Sequence, residues 1–189
     1  QPDLMWLDHI PLFHERWNPQ PDDPKVDAFR DGCMRMIADY YNAAEAWGKQ
    51  VYVNNKGPKV GRNWPLGVGY IGEDNMKLSD ASVKWENPAT MGASYGYMKC
   101  EEDNDSYKPE AELIHLLCDT VSKNGNLLLN IGPRADGVIP EGMQRRLRAI
   151  GRFLQANGEA IYGTRPWHTW GTDAGPAPLR YTRKDGRLF

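Results

Sequence analysis

Charge of one sign is missing from this sequence. Its 23 basic and 25 acidic side chains nearly cancel, leaving a formal net charge of −2. A nucleic acid or an acidic membrane surface held through bulk charge is therefore not expected. No apolar run approaches the roughly 18 residues that a membrane span needs. Cysteine is scarce, and Cys33, Cys100 and Cys118 contain no Cys-x-x-Cys pair. Cys33 and Cys118 fall inside helical patterns, so all three read as structural and leave the redox compartment unsettled. No His/Asp/Glu cluster has metal-ligand spacing, so no metal or other cofactor is expected. The glycines from Gly57 to Gly72 and from Gly132 to Gly137 form neither Gly-x-Gly-x-x-Gly nor a P-loop lysine motif, which speaks against a nucleotide fold. Ser79 and Ser94 lack the Gly-x-Ser-x-Gly elbow of a serine hydrolase. A secretory leader is not visible either. The chain opens at Gln1 without Met and enters a strand-like segment almost at once, so its true amino terminus is expected to lie upstream.

What remains is a globular composition rich in rings. The 189 residues are 40% apolar and 25% charged, enough for a real core. Seven Trp and nine Tyr are many for this length; such rings build flat sugar-binding platforms and also fill cores.

Along the chain the pattern is strand, then helix, then strand. Pro2 to Asp8 is a short apolar run ending in a carboxylate, which predicts a buried strand. A Pro- and Asp-rich loop follows through Asp23. Pro24 then opens a helix that Asp23 can cap, with Phe29, Cys33, Met36, Tyr40, Ala44 and Trp47 expected on its inner face and Gly48 ending it. Gln50 to Asn54 reads as the next strand, and Ser82 to Glu86 as a third. Pro109 to Asn124 predicts a helix packed through Leu113, Leu117 and Val121, with Gly125 after it. Asn126 to Ile131 is the clearest strand. Pro140 to Asn157 predicts another helix, with Met143, Leu147, Ile150 and Leu154 inward and Gly158 closing it. Three helices set between short apolar strands imply βα units and a parallel sheet, hence an α/β fold. After Trp167 the texture becomes Pro/Gly-rich, and Leu179 to Phe189 alternates around Asp185-Gly186, a β-hairpin signal. The expected organisation is a partial (β/α)8 barrel over residues 1–167, roughly its second half, and then a linker and the first strands of a C-terminal β-sandwich domain over 168–189.

In such barrels chemistry sits at the carboxyl ends of strands. This reading places Asp8, Asn54-Asn55-Lys56, Glu86 and Asn130 there. Two carboxylates on different strands suit glycoside hydrolysis: one attacks the anomeric carbon, the other protonates the leaving oxygen and later activates water. The residues alone favour the plainer reading, in which Asp8 and Glu86 are loop-end carboxylates that cap helices or pair with bases.

Longer stretches carry a resemblance. Asn126 to Gly137 (NLLLNIGPRADG), Asn157 to Trp167 (NGEAIYGTRPW), Glu112 to Gly125 and Pro2 to Asp8 resemble, in order, segments of the family 29 glycoside hydrolases, the α-L-fucosidases. The match covers most of the chain and is weakest between about Pro58 and Ser82. The resemblance implies a retaining exo-glycosidase that releases terminal α-L-fucose through a covalent fucosyl-enzyme intermediate, with a fucosylated oligosaccharide or glycoconjugate as substrate and no metal. It implies that Asp8 is the nucleophile and that Glu86 is the acid/base, with Glu73, Glu101 and Glu102 as alternatives. Trp6 would line the fucose pocket, two residues before Asp8 and on the same strand face. Met91 to Tyr97 (MGASYGY) resembles a segment of the broad-specificity subgroup, with Tyr95 in place of the usual tryptophan as a substrate contact. Lys56 stands where many members carry a sugar-binding arginine, so a bidentate fork becomes a point charge; Arg62 is the alternative. His9 points to the opposite strand face, and His115 lies within a helix and reads as structural. The family's members are commonly secreted, periplasmic or lysosomal. Its amino-terminal barrel half, with sugar-gripping histidines, has no counterpart here, so this chain alone is expected to be inactive and aggregation-prone. Another retaining glycosidase on the same barrel, or a non-catalytic glycan-binding fragment, are the alternatives.

Overall fold

Parallel strands and helices make up most of the described residues, and a small antiparallel sheet follows. The computed structural model describes residues 2–7, 24–55, 68–71, 84–175 and 177–189. By contacts the chain divides into two compact units, 1–71 and 72–189.

In the first unit, β1 (Leu4–Leu7), β2 (Tyr52–Asn55) and β3 (Val68–Ile71) pair in parallel, and α1 (Pro24–Ala46) links the first two. Helix α1 begins at Pro24, whose fixed φ suits a first turn, and Gly48 takes the left-handed φ of +65° beyond its end. Ile37, Tyr40 and Val53 form the buried cluster, with Met5, Leu7, Tyr41 and Val51 packed on it. The Tyr40 hydroxyl donates to Pro2 O at 2.8 Å and ties the helix to the start of β1. The expected inner face of α1 is corrected here: Ile37, Tyr40 and Ala44 are buried, whereas Met36 and Trp47 are 39% and 38% exposed. Tyr40 and Ala44 fall on the expected face, and Ile37 rather than Met36 completes it against Val53. Strand β3 was not expected at all.

In the second unit, β4 (Trp85–Thr90) pairs in parallel with β5 (Gly125–Asn130), joined through α2 (Lys99–Asn104) and α3 (Glu110–Ser122). Helix α4 (Glu141–Asn157) follows, then a 3₁₀ turn at Gly158–Ala160. Met91, Tyr107, Leu113 and Met143 form its core, with Leu129, Ile131, Ile139, Leu147 and Ile150 against them. On β4, Trp85 Nε1 donates to Lys123 O at 2.8 Å and Asn87 Nδ2 to Thr120 Oγ1 at 3.0 Å, so this face lies on α3 and its end. Gly125 is not the helix terminator expected; Asn124 takes the left-handed φ of 68°, and Gly125 opens β5. A Cβ at Gly125 would fall 2.7 Å from both Trp85 and Thr120, so only glycine lets strand and helix close. Gly158 likewise stays right-handed at φ −59° and continues into the 3₁₀ turn.

The last strands, β6 (Arg165–Thr172), β7 (Leu179–Lys184) and β8 (Arg187–Leu188), form an antiparallel sheet. Asp185 and Gly186 both have positive φ, 50° and 77°, as a tight type I′ hairpin requires. Lys123 and Arg180 lie 4.5 and 4.8 Å from the Trp170 ring centre, and Asp119 accepts from both cations at 2.7 and 2.5 Å. Burial pushes the Asp119 carboxyl up, but the bonds from Lys123 and Arg180 outweigh it and hold the group below its usual range. This clamp fixes the sheet to α3. Trp170→Ala is expected to cost about 2–3 kcal/mol and to raise hydrogen exchange at β6 and β7 amides before the rest of the unit. Unchanged protection there would remove the clamp from the account.

Candidate active site

The carboxyl ends of the parallel strands are where a site would form, and β4 and β5 show theirs in full. Side-chain alternation assigns the faces. Trp85, Asn87 and Leu129 turn toward the helices, so Glu86, Pro88 and Thr90 on β4 face the other way. Their partners across the pair, Asn126, Leu128 and Asn130, share that face. Thr90 and Asn130 close the two strands.

Glu86 is not at a strand end. The strand runs from Trp85 to Thr90 rather than ending at Glu86, which makes Glu86 its second residue, opposite Asn126. At about 3.3 Å per residue it lies roughly 13 Å below the carboxyl end, beyond the reach of a glutamate side chain. It is also 4% exposed.

Beyond Thr90 the chain makes the Met91–Tyr97 turn. Tyr95 is 44% exposed there, with Tyr97 and Met98 beside it in sequence and also exposed. Asn130 Nδ2 donates to Tyr95 O at 2.6 Å, which ties the turn to the end of β5. Gly132 packs on the turn's backbone; a Cβ there would fall 2.9 Å from Gly96 C and Tyr97 N.

Two of the alternative carboxylates, Glu101 and Glu102, sit on α2 just past this turn. Arg134 donates to Glu102 through Nε at 3.0 Å and also through Nη2, and the Tyr97 hydroxyl donates at 2.7 Å. The Arg134 fork, aided by Tyr97, holds the Glu102 carboxyl down at about 2. The same bond raises the Tyr97 phenol. Such a carboxylate stays ionised and is a poor general acid. Because its folded pKa is depressed, its contribution to stability is full above the unfolded value near 4.3 and fades as pH falls toward 2. Glu102→Gln should therefore flatten the acid limb of the melting curve across that window; a parallel downward shift at every pH would contradict the assignment. Glu101 is buried, with Oε1 accepting from Ala93 N–H at 2.5 Å.

In the first unit, Met5 and Leu7 pack on the α1 cluster, so Trp6 occupies the other face of β1, opposite Asn54 of β2. Asn54 is fully buried at the carboxyl end of β2, and its Oδ1 meets no donor among the described residues. Asp8, His9, Lys56, Arg62, Glu73 and Ser79 lie outside the described residues. His115 is exposed on α3, and Cys100 is exposed on α2, whereas Cys33 and Cys118 are half-buried. Among the described residues no group of His, Cys, Asp and Glu could hold a metal ion, and no helix is long and apolar enough to cross a membrane. The Tyr97–Glu102–Arg134 trio escaped the sequence reading, since 32 residues separate its ion pair; only the exposed-looking Arg134 inside an apolar motif hinted at it.

Comparison with known proteins follows the same lines. The family model described as alpha-L-fucosidase matches residues 1–159. An alpha-L-fucosidase of Dictyostelium discoideum is 51% identical over 149 residues, which are 72% of this chain and 32% of that protein. The tissue alpha-L-fucosidase of Rattus norvegicus is 41% identical over 172 residues, 84% of this chain and 36% of its own. The solved Thermotoga maritima alpha-fucosidase in complex with fucose superposes with a TM-score of 0.68 at 30% identity, covering 99% of this chain and 37% of that one. This chain thus spans about a third of the length of the curated relatives it matches. With residues 1–159 matched by the family model, the chain belongs to the α-L-fucosidase family.

Proposed function

We propose that this chain is part of a retaining exo-glycosidase that releases terminal α-L-fucose from fucosylated glycans, with Asp8 as nucleophile. The observation that carries the reading is the position of Asp8: it directly follows the last residue of the parallel strand β1, in a chain of this family. An Asp8 oxygen bonds to the anomeric carbon while the glycosidic bond breaks, and the leaving oxygen takes a proton from a second carboxyl group. That group, now ionised, takes a proton from water, whose oxygen attacks the anomeric carbon and frees Asp8, so configuration is retained. Trp6 supplies an apolar wall for the sugar's methyl group, and Tyr95 and Lys56 contact the substrate.

For the second carboxylate, strand position favours Glu73 over Glu86. Glu73 is the second residue after the end of β3, while Glu86 lies deep along β4. Loss of the acid slows substrates with poor leaving groups by about 10²–10⁴-fold and spares activated aryl fucosides. Glu73→Ala should show that split; Glu86→Gln should not.

The strands β1 to β5 and their helices read as about the second half of a (β/α)8 barrel, within 1–167. The sheet β6–β8 begins a C-terminal β domain, although the boundary drawn at 168 falls inside β6. The activity belongs to a protein of the relatives' length, and this chain alone is inactive. Relatives named alpha-L-fucosidase favour fucose over other sugars and over a purely binding role. The test is mass spectrometry of the full-length protein after incubation with a 2-fluoro-fucosyl trapping reagent. A fucosyl adduct on the peptide bearing Asp8 is expected; a folded protein without one would end the Asp8 assignment or the fucose reading.

A further inference from the structure

On α2, just past the turn that carries the exposed Tyr95, lies a buried carboxylate that the mechanism does not use. Glu101 is 5% exposed; its Oε1 accepts from Ala93 N–H at 2.5 Å and its Oε2 meets no donor among the described residues. Holding a carboxyl group out of water with so few bonds costs stability. Its seat is nevertheless closely built. A Cβ at Gly92 would fall 2.3 Å from Oε2 and 2.5 Å from Oε1, so glycine there makes the room. Lys108 grips the chain leading into that seat: Nζ donates to Thr90 O at 2.7 Å and to Gly92 O at 3.5 Å, and its N–H to Met91 O at 2.7 Å. Tyr95 therefore stands between two pins. One is the Glu101–Ala93 bond two residues before it; the other is Asn130 on its own carbonyl.

We propose that Glu101 is a positioning residue whose carboxylate fixes the Gly92–Ala93 turn and so aims the Tyr95 ring at the bound sugar. This rests on the reading of Tyr95 as a substrate contact. The role needs an oxygen that accepts from Ala93 N–H, and no proton transfer, which separates it from acid/base work.

The test is steady-state hydrolysis of an aryl α-L-fucoside by the full-length protein carrying Glu101→Ala, Glu101→Gln, Gly92→Ala or Tyr95→Ala, and the Glu101→Ala/Tyr95→Ala pair. Glu101→Ala is expected to raise KM by on the order of 10- to 100-fold, the scale of a displaced contact, and to leave the shape of the pH–rate profile intact. Glu101→Gln, which keeps an oxygen for Ala93, recovers most of that loss, and Gly92→Ala reproduces it. In the Tyr95→Ala background, Glu101→Ala adds nothing further. Equal losses in both backgrounds overturn the proposal. So does a Glu101→Gln variant with kcat reduced and one limb of the pH profile gone, the signature of an acid or base. Wild-type kinetics in Tyr95→Ala removes the substrate-contact reading itself, and the proposal with it. Where Glu101→Ala does not fold, the Gly92→Ala/Tyr95→Ala pair carries the same comparison.

Discussion

Asp8→Gly in the full-length protein is expected to lower kcat/KM for α-L-fucosides by at least about 10⁴-fold, the scale seen when a nucleophile is removed. The loss alone would not identify the role, because many substitutions near a site abolish turnover. Added azide makes the result specific. With the carboxylate gone, azide attacks the anomeric carbon from the face Asp8 used, while the aryl leaving group departs with its proton from the acid carboxyl. The product is then the β-fucosyl azide, inverted relative to the substrate. An α-azide would mean that two displacements still occur and that the nucleophile lies elsewhere. No azide product from a folded variant, together with near-normal hydrolysis, would end the assignment outright.

The largest effect on stability is expected at Arg146. Its side chain is buried and serves several acceptors at once. Nε donates to Lys108 O at 2.6 Å, Nη1 to Asp105 Oδ1 at 2.8 Å and Gly142 O at 3.0 Å, and Nη2 to Tyr107 O at 3.1 Å. The guanidinium also lies 5.3 Å from the centre of the Tyr107 ring. Arg146→Met fills similar space but leaves three carbonyls without this donor, at a cost of about 3–5 kcal/mol. For a chain of this size that is a fall in Tm of roughly 10 °C. Asp105→Asn should cost far less, about 1 kcal/mol, because Asp105 is 46% exposed and water screens its charge. Arg146→Lys falls between them, since one ammonium cannot span the acceptors of a planar fork. A thermal melt in which Asp105→Asn matches Arg146→Met would show that the ion pair, not the carbonyl network, holds this corner.

Where the sequence reading held, a local signal and the tertiary packing agreed. Pro24 and Gly48 bracket α1, Leu113 is fully buried in α3, and Asp185-Gly186 turns the last hairpin. Where it slipped, packing overrode the local signal. The expected third strand stopped at Glu86, yet Asn87 and Pro88 lie inside β4, a place that proline's missing N–H makes hard to foresee, so Glu86 falls short of the strand's end. Strand β3 has four residues with glycine inside and before it, too little alternation to stand out, although Val68, Tyr70 and Ile71 are strand formers. Helix α2 has six residues, under two turns, and its Glu101 and Glu102 look alike in sequence. Only geometry separates them: one is forked by Arg134, the other seated under Ala93. For Asp8, residue order marked only a carboxylate at the end of an apolar strand, and the resemblance, not the order, supplied its role as candidate nucleophile.

The glycine beside Glu101 has a counterpart. A Cβ at Gly142 would fall 2.4 Å from Asp105 Oδ1, just as one at Gly92 would strike Glu101. In both places an acidic oxygen occupies the space of a missing methyl group. Inheritance should tend to keep such positions in step: an alanine at 92 forces the Glu101 carboxyl to shift, and one at 142 the Asp105 carboxyl, so each settles more easily once the acid shortens or disappears. Each pair behaves as one heritable character written in two places.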